Sequence, residues 1–213
     1  MNQLSSQQTL KEKAYQFIRK SIVDGVWSGG TFLSENSLCE QLGMSKTPIR
    51  SALDRLEMMG LVKLFPNQGA VVSEVSLKRI LEIYELRLAL ETYAVRSLTG
   101  KLDATFFIRM DENIDLQARS IEHNDIPEYV RLDRQFHEMI IAGLDNEEYA
   151  GVMMRMQDQF LLAVRTTFIK NRQRLGGSIE EHRKIRTALA GTDSERTERL
   201  MTEHLEFVKR IML

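Results

Sequence analysis

The sequence predicts a mainly α-helical protein of two domains: three helices and a β-hairpin first, then an antiparallel bundle of about six helices. Two observations lead to this fold class. Apolar residues recur every three to four positions along most of the chain, which is the spacing of one helix face. That spacing changes between residues 62 and 73, where two short apolar runs flank a Pro-Asn-Gln-Gly turn. The length of 213 residues accommodates two domains.

The N-terminal domain is predicted over residues 10–75, after a flexible polar arm at residues 1–9. Its first helix starts at Leu10, from which apolar residues recur at three- and four-residue steps. Ser34 is expected to cap a short second helix with its hydroxyl, and Gly43 to end that helix in left-handed backbone. The domain therefore begins with two helices joined by a glycine-containing loop.

The third helix is expected to begin with the hydroxyl cap Ser45 and to carry Pro48 in its first turn, where a missing N–H costs nothing. It ends at Gly60, and residues 62–65 and 70–73 then form the two strands of a hairpin. Helix, helix, turn, helix and hairpin is the order of a winged helix-turn-helix.

Residues 76–213 are predicted to form the all-α bundle, because they return to helical spacing and carry no strand signal. Ser76 is expected to cap the first helix of this domain, and Asp125, three residues before a glutamate, the third. Residues 171–177 are interpreted as a basic, glycine-ended loop, with Ser178 as the cap of the fifth helix.

Composition and charge exclude several classes of protein. No run approaches the roughly 18 consecutive apolar residues of a membrane span, and the first residues lack the features of a secretion signal. Cys39 is the single cysteine, so no internal disulfide is expected, and a cytoplasmic location fits best. The net charge is −1, and the first 75 residues hold eight basic and seven acidic side chains. Any contact with nucleic acid must therefore come from a local cluster.

The start of the third helix is the candidate DNA-reading element. In a helix-turn-helix the second helix of the pair lies in the major groove, with its N-terminal side chains on base edges. Thr47 and Arg50 share a face one turn apart, and an arginine there can bridge the two acceptors of a guanine. The predicted DNA-binding residues are Ser34, Glu35, Ser45, Lys46, Thr47, Arg50, Arg55, Asn67, Gln68 and Gly69. The alternative is a scaffolding domain that binds no DNA, in which Arg50 is merely solvated.

Residues 33–57, LSENSLCEQLGMSKTPIRSALDRLE, resemble the signature of the GntR family of bacterial repressors, and residues 65–72 resemble the wing of that family. The resemblance is dense and ordered over residues 10–75. It implies a transcriptional regulator, of the repressor type, that binds double-stranded DNA. One departure from the family pattern is Lys46, where the family usually has an arginine. This difference matters because lysine cannot make the same bidentate contact.

Four residues of the second domain are candidate metal ligands. Asp133 and His137 are four residues apart on one predicted helix, so they project from the same face. His182 lies early in the fifth helix of the domain and His204 in the sixth, so a carboxylate and three imidazoles can converge in the bundle core. The alternative from spacing alone is that each histidine is an ordinary, partly exposed side chain, as His123 at a helix end is interpreted to be.

Four segments of this domain resemble the C-terminal ligand-binding domain of the FadR-like branch of the family, and its short length resembles the six-helix, VanR-like subgroup. The segments are residues 83–91, 133–137, 181–185 and 203–205. Many members of that branch bind a divalent metal through an aspartate and three histidines, so the resemblance implies that the four candidate ligands hold such an ion. Zn²⁺, Ni²⁺ and Mn²⁺ all suit this ligand set, which leaves coordination positions open.

The open positions lead to the hypothesis that a small carboxylate effector completes the coordination, with Arg87 as its countercharge. The alternative for Arg87 is a helix-surface pair with Glu91, four residues later. In the same hypothesis a homodimer engages a palindromic operator, and effector binding alters how its reading helices are held, through residues 73–76. Two rivals stay open: a metal-dependent enzyme, and a structural metal that only holds the bundle together.

Overall fold

The computed structural model describes residues 9–154 except 67, residues 156, 158 and 159, and residues 173–212. The predicted flexible arm, apart from Thr9, and the predicted wing residue Asn67 lie outside the described residues. The chain divides into two compact units, Met1–Val75 and Ser76–Leu213. Each unit is described by itself below.

The first unit is a winged helix-turn-helix, as predicted. Its elements are α1 (Leu10–Val23), β1 (Phe32–Ser34), α2 (Glu35–Leu42), α3 (Lys46–Met58), β2 (Val62–Phe65) and β3 (Gly69–Val72). The three strands form an antiparallel sheet in the order β1-β3-β2, with Ala70 opposite Leu33 on one side and Leu64 on the other. The sequence pattern does not predict β1, because three residues are too short to show a period and their partner β3 is distant in the chain.

The packing of α1 against α3 supplies most of the core of the first unit. The inward faces of these helices bury Ala14, Ile18, Ile22, Ile49, Leu53 and Leu56 almost completely. These apolar side chains recur every three to four residues on each helix, so one face packs and the other stays in solvent. The N-terminal turn of α3 is held in this way with Ser45, Lys46 and Thr47 exposed.

The expected hydroxyl caps of α2 and α3 are wrong. Ser34 and Ser45 occupy the N-cap positions in extended backbone, but within the described part of the chain neither side chain makes a capping hydrogen bond. For α3 the reason is Pro48, which occupies the third helical position and has no N–H to donate. In α2 the first backbone N–H, that of Glu35, donates to the carbonyl oxygen of Gln68, at 3.2 Å, so the wing turn satisfies this donor.

Gly69 is required by the sheet, because its φ is 146° and a Cβ there would lie 2.0 Å from the carbonyl oxygen of Leu33. Gly69→Ala is therefore expected to lower the free energy of unfolding by at least about 2 kcal/mol, measured by urea denaturation. The control is Gly43→Ala, where φ is 62° and no described atom lies within 4 Å of the added Cβ. That change is expected to cost only about 1 kcal/mol. Equal losses in the two variants would contradict the close approach of β3 to β1.

The second unit is all-α over its described residues, as predicted. Its helices are α4 (Leu77–Leu98), α5 (Ala104–Glu122), α6 (Ile126–Ala142), α7 (described over 147–154), α8 (Gln173–Leu189) and α9 (Ser194–Met212). Helix α4 packs against α6 and α9, and α8 packs against α5 and α9. None of the described helices combines the length and apolar character that crossing a membrane requires.

Two predicted helix caps of the second unit are confirmed. The hydroxyl of Ser76 accepts a hydrogen bond from the backbone N–H of Arg79, at 3.2 Å. The carboxylate of Asp125 accepts one from the backbone N–H of Glu128, at 3.1 Å. Each cap satisfies one of the N–H groups that have no partner inside the helix.

The predicted loop at residues 171–177 is wrong over its described part, because α8 begins at Gln173. Ser178 is fully buried inside the helix and does not cap it. Two successive glycines favour a loop, since each costs about 1 kcal/mol in a helix interior. Here Leu175 and Ile179 are buried on one face of α8, and this packing offsets the cost. The tertiary contacts therefore override the local preference.

Candidate functional site

The three predicted histidine ligands meet in the core of the second unit. His137 on α6, His182 on α8 and His204 on α9 are each at most 2% exposed. The Nε2 atom of His204 lies 3.3 Å from that of His182 and 3.3 Å from that of His137. Asp133, one turn before His137, is also buried, and its Oδ1 lies 3.7 Å from the Nε2 of His182. The structure therefore brings the three predicted histidine ligands together, and it places Asp133 beside one of them, His182.

An oxygen acceptor faces the other ring nitrogen of each histidine. The Nδ1 of His137 lies 2.5 Å from Glu91, that of His182 lies 2.9 Å from Gln117, and that of His204 lies 2.7 Å from Glu181. The amide of Gln117 has its oxygen toward His182 because its nitrogen donates to Asn113, at 2.7 Å. In the neutral tautomer that donates from Nδ1 to these oxygens, each Nε2 presents a lone pair.

Three such lone pairs in a buried place repel one another unless a proton or a metal cation lies between them. Two neighbouring nitrogen ligands of one ion, at metal–nitrogen distances of about 2.0–2.1 Å, lie roughly 2.8–3.4 Å apart. The observed Nε2 separations match this spacing. Three imidazoles and a carboxylate also form a donor set that divalent transition metals accept. The residues present therefore fit a divalent metal ion.

Electrostatics keep the cluster suited to ligation. Burial, together with the charge of Arg87 and the neighbouring ring of His204, holds the pKa of His137 well below its usual range. The His137 ring is therefore neutral at neutral pH, which is the form that binds a metal. The ring of His182 is held on its other side by Phe136, whose ring stacks on it with centroids 4.0 Å apart.

Arg87 is buried beside the cluster, and it also forms the pair with Glu91 that was its alternative interpretation. Its Nε donates to Glu91 at 2.6 Å, and the second carboxylate oxygen of Glu91 faces His137. The pair lies in the core rather than at the helix surface, since both side chains are at most 4% exposed. Burial alone would lower the pKa of Arg87, but its interactions with Glu91, Tyr84 and Asp133 outweigh burial and raise that pKa. Arg87 therefore carries a permanent positive charge next to the cluster.

Sequence reasoning missed the partners that orient the histidines. The sequence predicts Glu91 only as a surface partner of Arg87, and it predicts no orienting role for Gln117 or Glu181. A usable signal exists for Gln117, because Asn113, Gln117 and Ser120 are polar residues at helical spacing on the buried face of α5. Polar residues on a buried face require partners, and such partners frequently belong to a site.

In the first unit, the candidate DNA-binding residues separate into two groups. Ser45, Lys46, Thr47 and Arg50 are exposed at the start of α3, and Gln68 is exposed on the wing. The side chain of Glu35 is instead 8% exposed, and its carboxylate accepts from the Nε of Arg50 at 2.9 and 3.0 Å. Ser34 is half-buried and Gly69 is buried.

Arg55 lies against α1 rather than beside Arg50. Its Nη1 donates to Glu12 at 2.8 Å, and its guanidinium lies 3.6 Å from the centroid of the Tyr15 ring. Arg55 lies five positions after Arg50 in α3, so the two side chains project about 140° apart around the helix axis. The structure therefore gives Arg55 a packing contact within the domain.

Comparison with known proteins agrees with the fold of each unit. Residues 10–72 match the bacterial regulatory proteins of the gntR family, and residues 82–207 match the FCD domain. The chain is 35% identical over 144 residues to the gluconate operon transcriptional repressor of Bacillus subtilis (strain 168), covering 67% of this chain and 58% of the relative. It is 24% identical over 204 residues to the HTH-type transcriptional repressor RspR of Escherichia coli (strain K12), covering 96% and 89%.

Two solved structures share the fold. A GntR transcriptional regulator from Rhodococcus sp. RHA1 superposes with a TM-score of 0.84 at 23% identity, covering 95% of this chain and 96% of that one. McbR/YncC of Escherichia coli superposes with a TM-score of 0.80 at 22% identity, covering 96% and 97%. A winged helix-turn-helix, a helical domain and relatives named as repressors define a DNA-binding transcriptional regulator, not an enzyme. The chain belongs to the GntR family and carries an FCD domain in its second unit.

Proposed function

We propose that the protein is a repressor whose binding to its operator is modulated by a small carboxylate held at a divalent-metal site in the second unit. The observation that carries the proposal is the convergence of three buried Nε2 lone pairs beside a buried arginine. Such an arrangement is unfavourable alone and becomes favourable when a cation binds.

Asp133, His137, His182 and His204 would hold the ion, of which Zn²⁺, Ni²⁺ and Mn²⁺ are chemically suitable. When bound, the ion supplies a Lewis-acidic centre that attracts a carboxylate. The chain does the remaining work. The oxygen acceptors at the Nδ1 atoms hold each ring in the ligating tautomer and orientation, so little rearrangement accompanies binding.

Arg87 would supply the countercharge for the effector. Its guanidinium is permanently charged and lies in the core on the same side of α4 as Glu91, which contacts His137. Charge-assisted hydrogen bonds between arginine and a carboxylate are strong and directional. An effector that binds Arg87 would compete with Glu91 for its guanidinium. Because Glu91 also contacts His137, this competition would link effector binding to the position of His137.

Operator recognition would come from the exposed start of α3. Thr47 and Arg50 would read base edges, Lys46 would contact phosphates, and Gln68 on the wing would approach the minor groove. A homodimer would present two such helices related by two-fold symmetry, which matches a palindromic operator. The protein would act on DNA in the cytoplasm.

The test is a titration of operator binding against metal and carboxylate. The operator is the DNA that the protein retains from a random-sequence library. Its affinity is measured for metal-free protein and for protein loaded with Zn²⁺, Ni²⁺ or Mn²⁺, each with a panel of mono-, di- and tricarboxylates. We expect one carboxylate to change the operator affinity at least about tenfold, and only in the metal-loaded protein, since allosteric couplings are typically 5–150-fold.

Two results would overturn the proposal. If the protein does not bind a divalent metal at one ion per chain, the proposed metal site is wrong. If no carboxylate changes the operator affinity and a chelator unfolds the second unit, the metal is structural and the proposed sensing role is wrong. Sedimentation of the protein on its operator distinguishes a dimer from a monomer.

A further inference from the structure

Glu35 connects three parts of the winged helix-turn-helix. It is the first residue of α2, and its backbone N–H donates to the carbonyl oxygen of Gln68 in the wing turn. Its carboxylate accepts from the Nε of Arg50 on α3, at 2.9 and 3.0 Å. One residue therefore joins α2, the reading helix and the wing.

The side chain of Glu35 is placed to act on Arg50 and not on DNA. It is 8% exposed, whereas the side chain of Arg50 is 47% exposed. A carboxylate that faced DNA would also be repelled by the phosphates. The contact uses Nε, the donor nearest the arginine stem, so it orients the plane of the guanidinium. The two Nη groups carry four of the five N–H donors and form the fork that matches a guanine edge.

We propose that Glu35 is a positioning residue that determines specificity: it orients Arg50 toward a base edge and offsets its charge. The proposal rests on the base-reading role of Arg50 proposed above. Orientation before binding reduces the side-chain freedom that is lost in the complex. The nearby carboxylate weakens the electrostatic attraction between the guanidinium and any single phosphate. Contact with a matched base is therefore favoured over contact with the DNA backbone.

The test is Glu35→Gln, which keeps the shape of the side chain and removes its charge. We expect the affinity for the library-selected operator to fall roughly tenfold, within the range that one bidentate base contact supplies. We expect the affinity for random DNA to stay equal or rise, and its salt dependence to steepen by up to about 0.9 in log–log slope for each subunit, as one further phosphate contact per subunit becomes available. The ratio of the two affinities therefore falls.

The matched control is Glu40→Gln, which removes one negative charge from an exposed position of the same helix. This variant is expected to leave the affinity ratio unchanged. The role of Glu35 through Arg50 is tested in an Arg50→Lys background, where the fork is already absent. There, Glu35→Gln is expected to cause no further loss of the ratio.

The outcomes separate the two proposals. If Glu35→Gln lowers the urea midpoint but leaves the affinity ratio unchanged, Glu35 is merely structural and the inference fails. If the ratio falls equally in the Arg50→Lys background, Glu35 acts on DNA by another route and the inference also fails. If Arg50→Lys itself leaves the ratio unchanged, the reading role of Arg50 fails, whatever Glu35 does.

Discussion

Replacing His182 with alanine is expected to lower the affinity for Zn²⁺ or Ni²⁺ by at least about 100-fold and to abolish the carboxylate response. His182 supplies one of three converging Nε2 atoms and is fully buried among α5, α6 and α9 partners. Loss of a residue that only hydrogen-bonds a ligand typically lowers the metal affinity 10–100-fold. Loss of the ligand itself is therefore expected to lower it by at least about 100-fold. The measurement is competition between metal-free protein and a chromogenic chelator.

The control for this change is His123→Ala, since His123 is exposed at the end of α5 and lies outside the cluster. It is expected to leave the metal affinity unchanged. Should His182→Ala fail to fold, Glu181→Gln replaces it, because Glu181 is 28% exposed and contacts the Nδ1 of His204 rather than its Nε2. A loss of 10–100-fold is expected there. Wild-type metal affinity in both cluster variants would contradict the site.

Much of the fold could be predicted because its signals are local. Ser76 and Asp125 cap their helices with side chains three residues from the N–H they accept, so the sequence alone reveals them. The helix of residues 173–177 could not be predicted, because its two glycines favour a loop and only the burial of Leu175 in the folded bundle reverses that preference.

The same distinction applies to the site. The spacing of Asp133 and His137 follows from one helical turn, so their common face was predictable. Glu91 lies 46 residues from His137 along the chain, and Gln117 lies 65 residues from His182. No spacing rule connects such pairs, since only the packing of α4 and α5 against the histidine helices brings them together. The ligands were therefore accessible from sequence, and the groups that orient them were not.

Replacing Arg50 with alanine is expected to lower the affinity for the operator by at least about 100-fold, with a loss of only a few-fold for random DNA. A bidentate base contact contributes about 1–3 kcal/mol, and a homodimer would make it once in each half-site. Fluorescence anisotropy with operator and scrambled DNA at one fixed salt concentration measures both affinities, because phosphate binding varies steeply with salt. Equal loss for the two DNAs would make Arg50 a phosphate contact.

Arg55→Ala is the matched control, since it removes a second arginine from the same helix. Arg55 contacts Glu12 and the ring of Tyr15, so its loss is expected to lower the free energy of unfolding by roughly 1 kcal/mol. Operator affinity per folded molecule is expected to change less than about threefold, because a side chain held on α1 gives up no base contact. If Arg55→Ala abolished operator binding in folded protein while Arg50→Ala did not, the reading face of α3 would lie around Arg55 and the orientation proposed for this helix would be wrong.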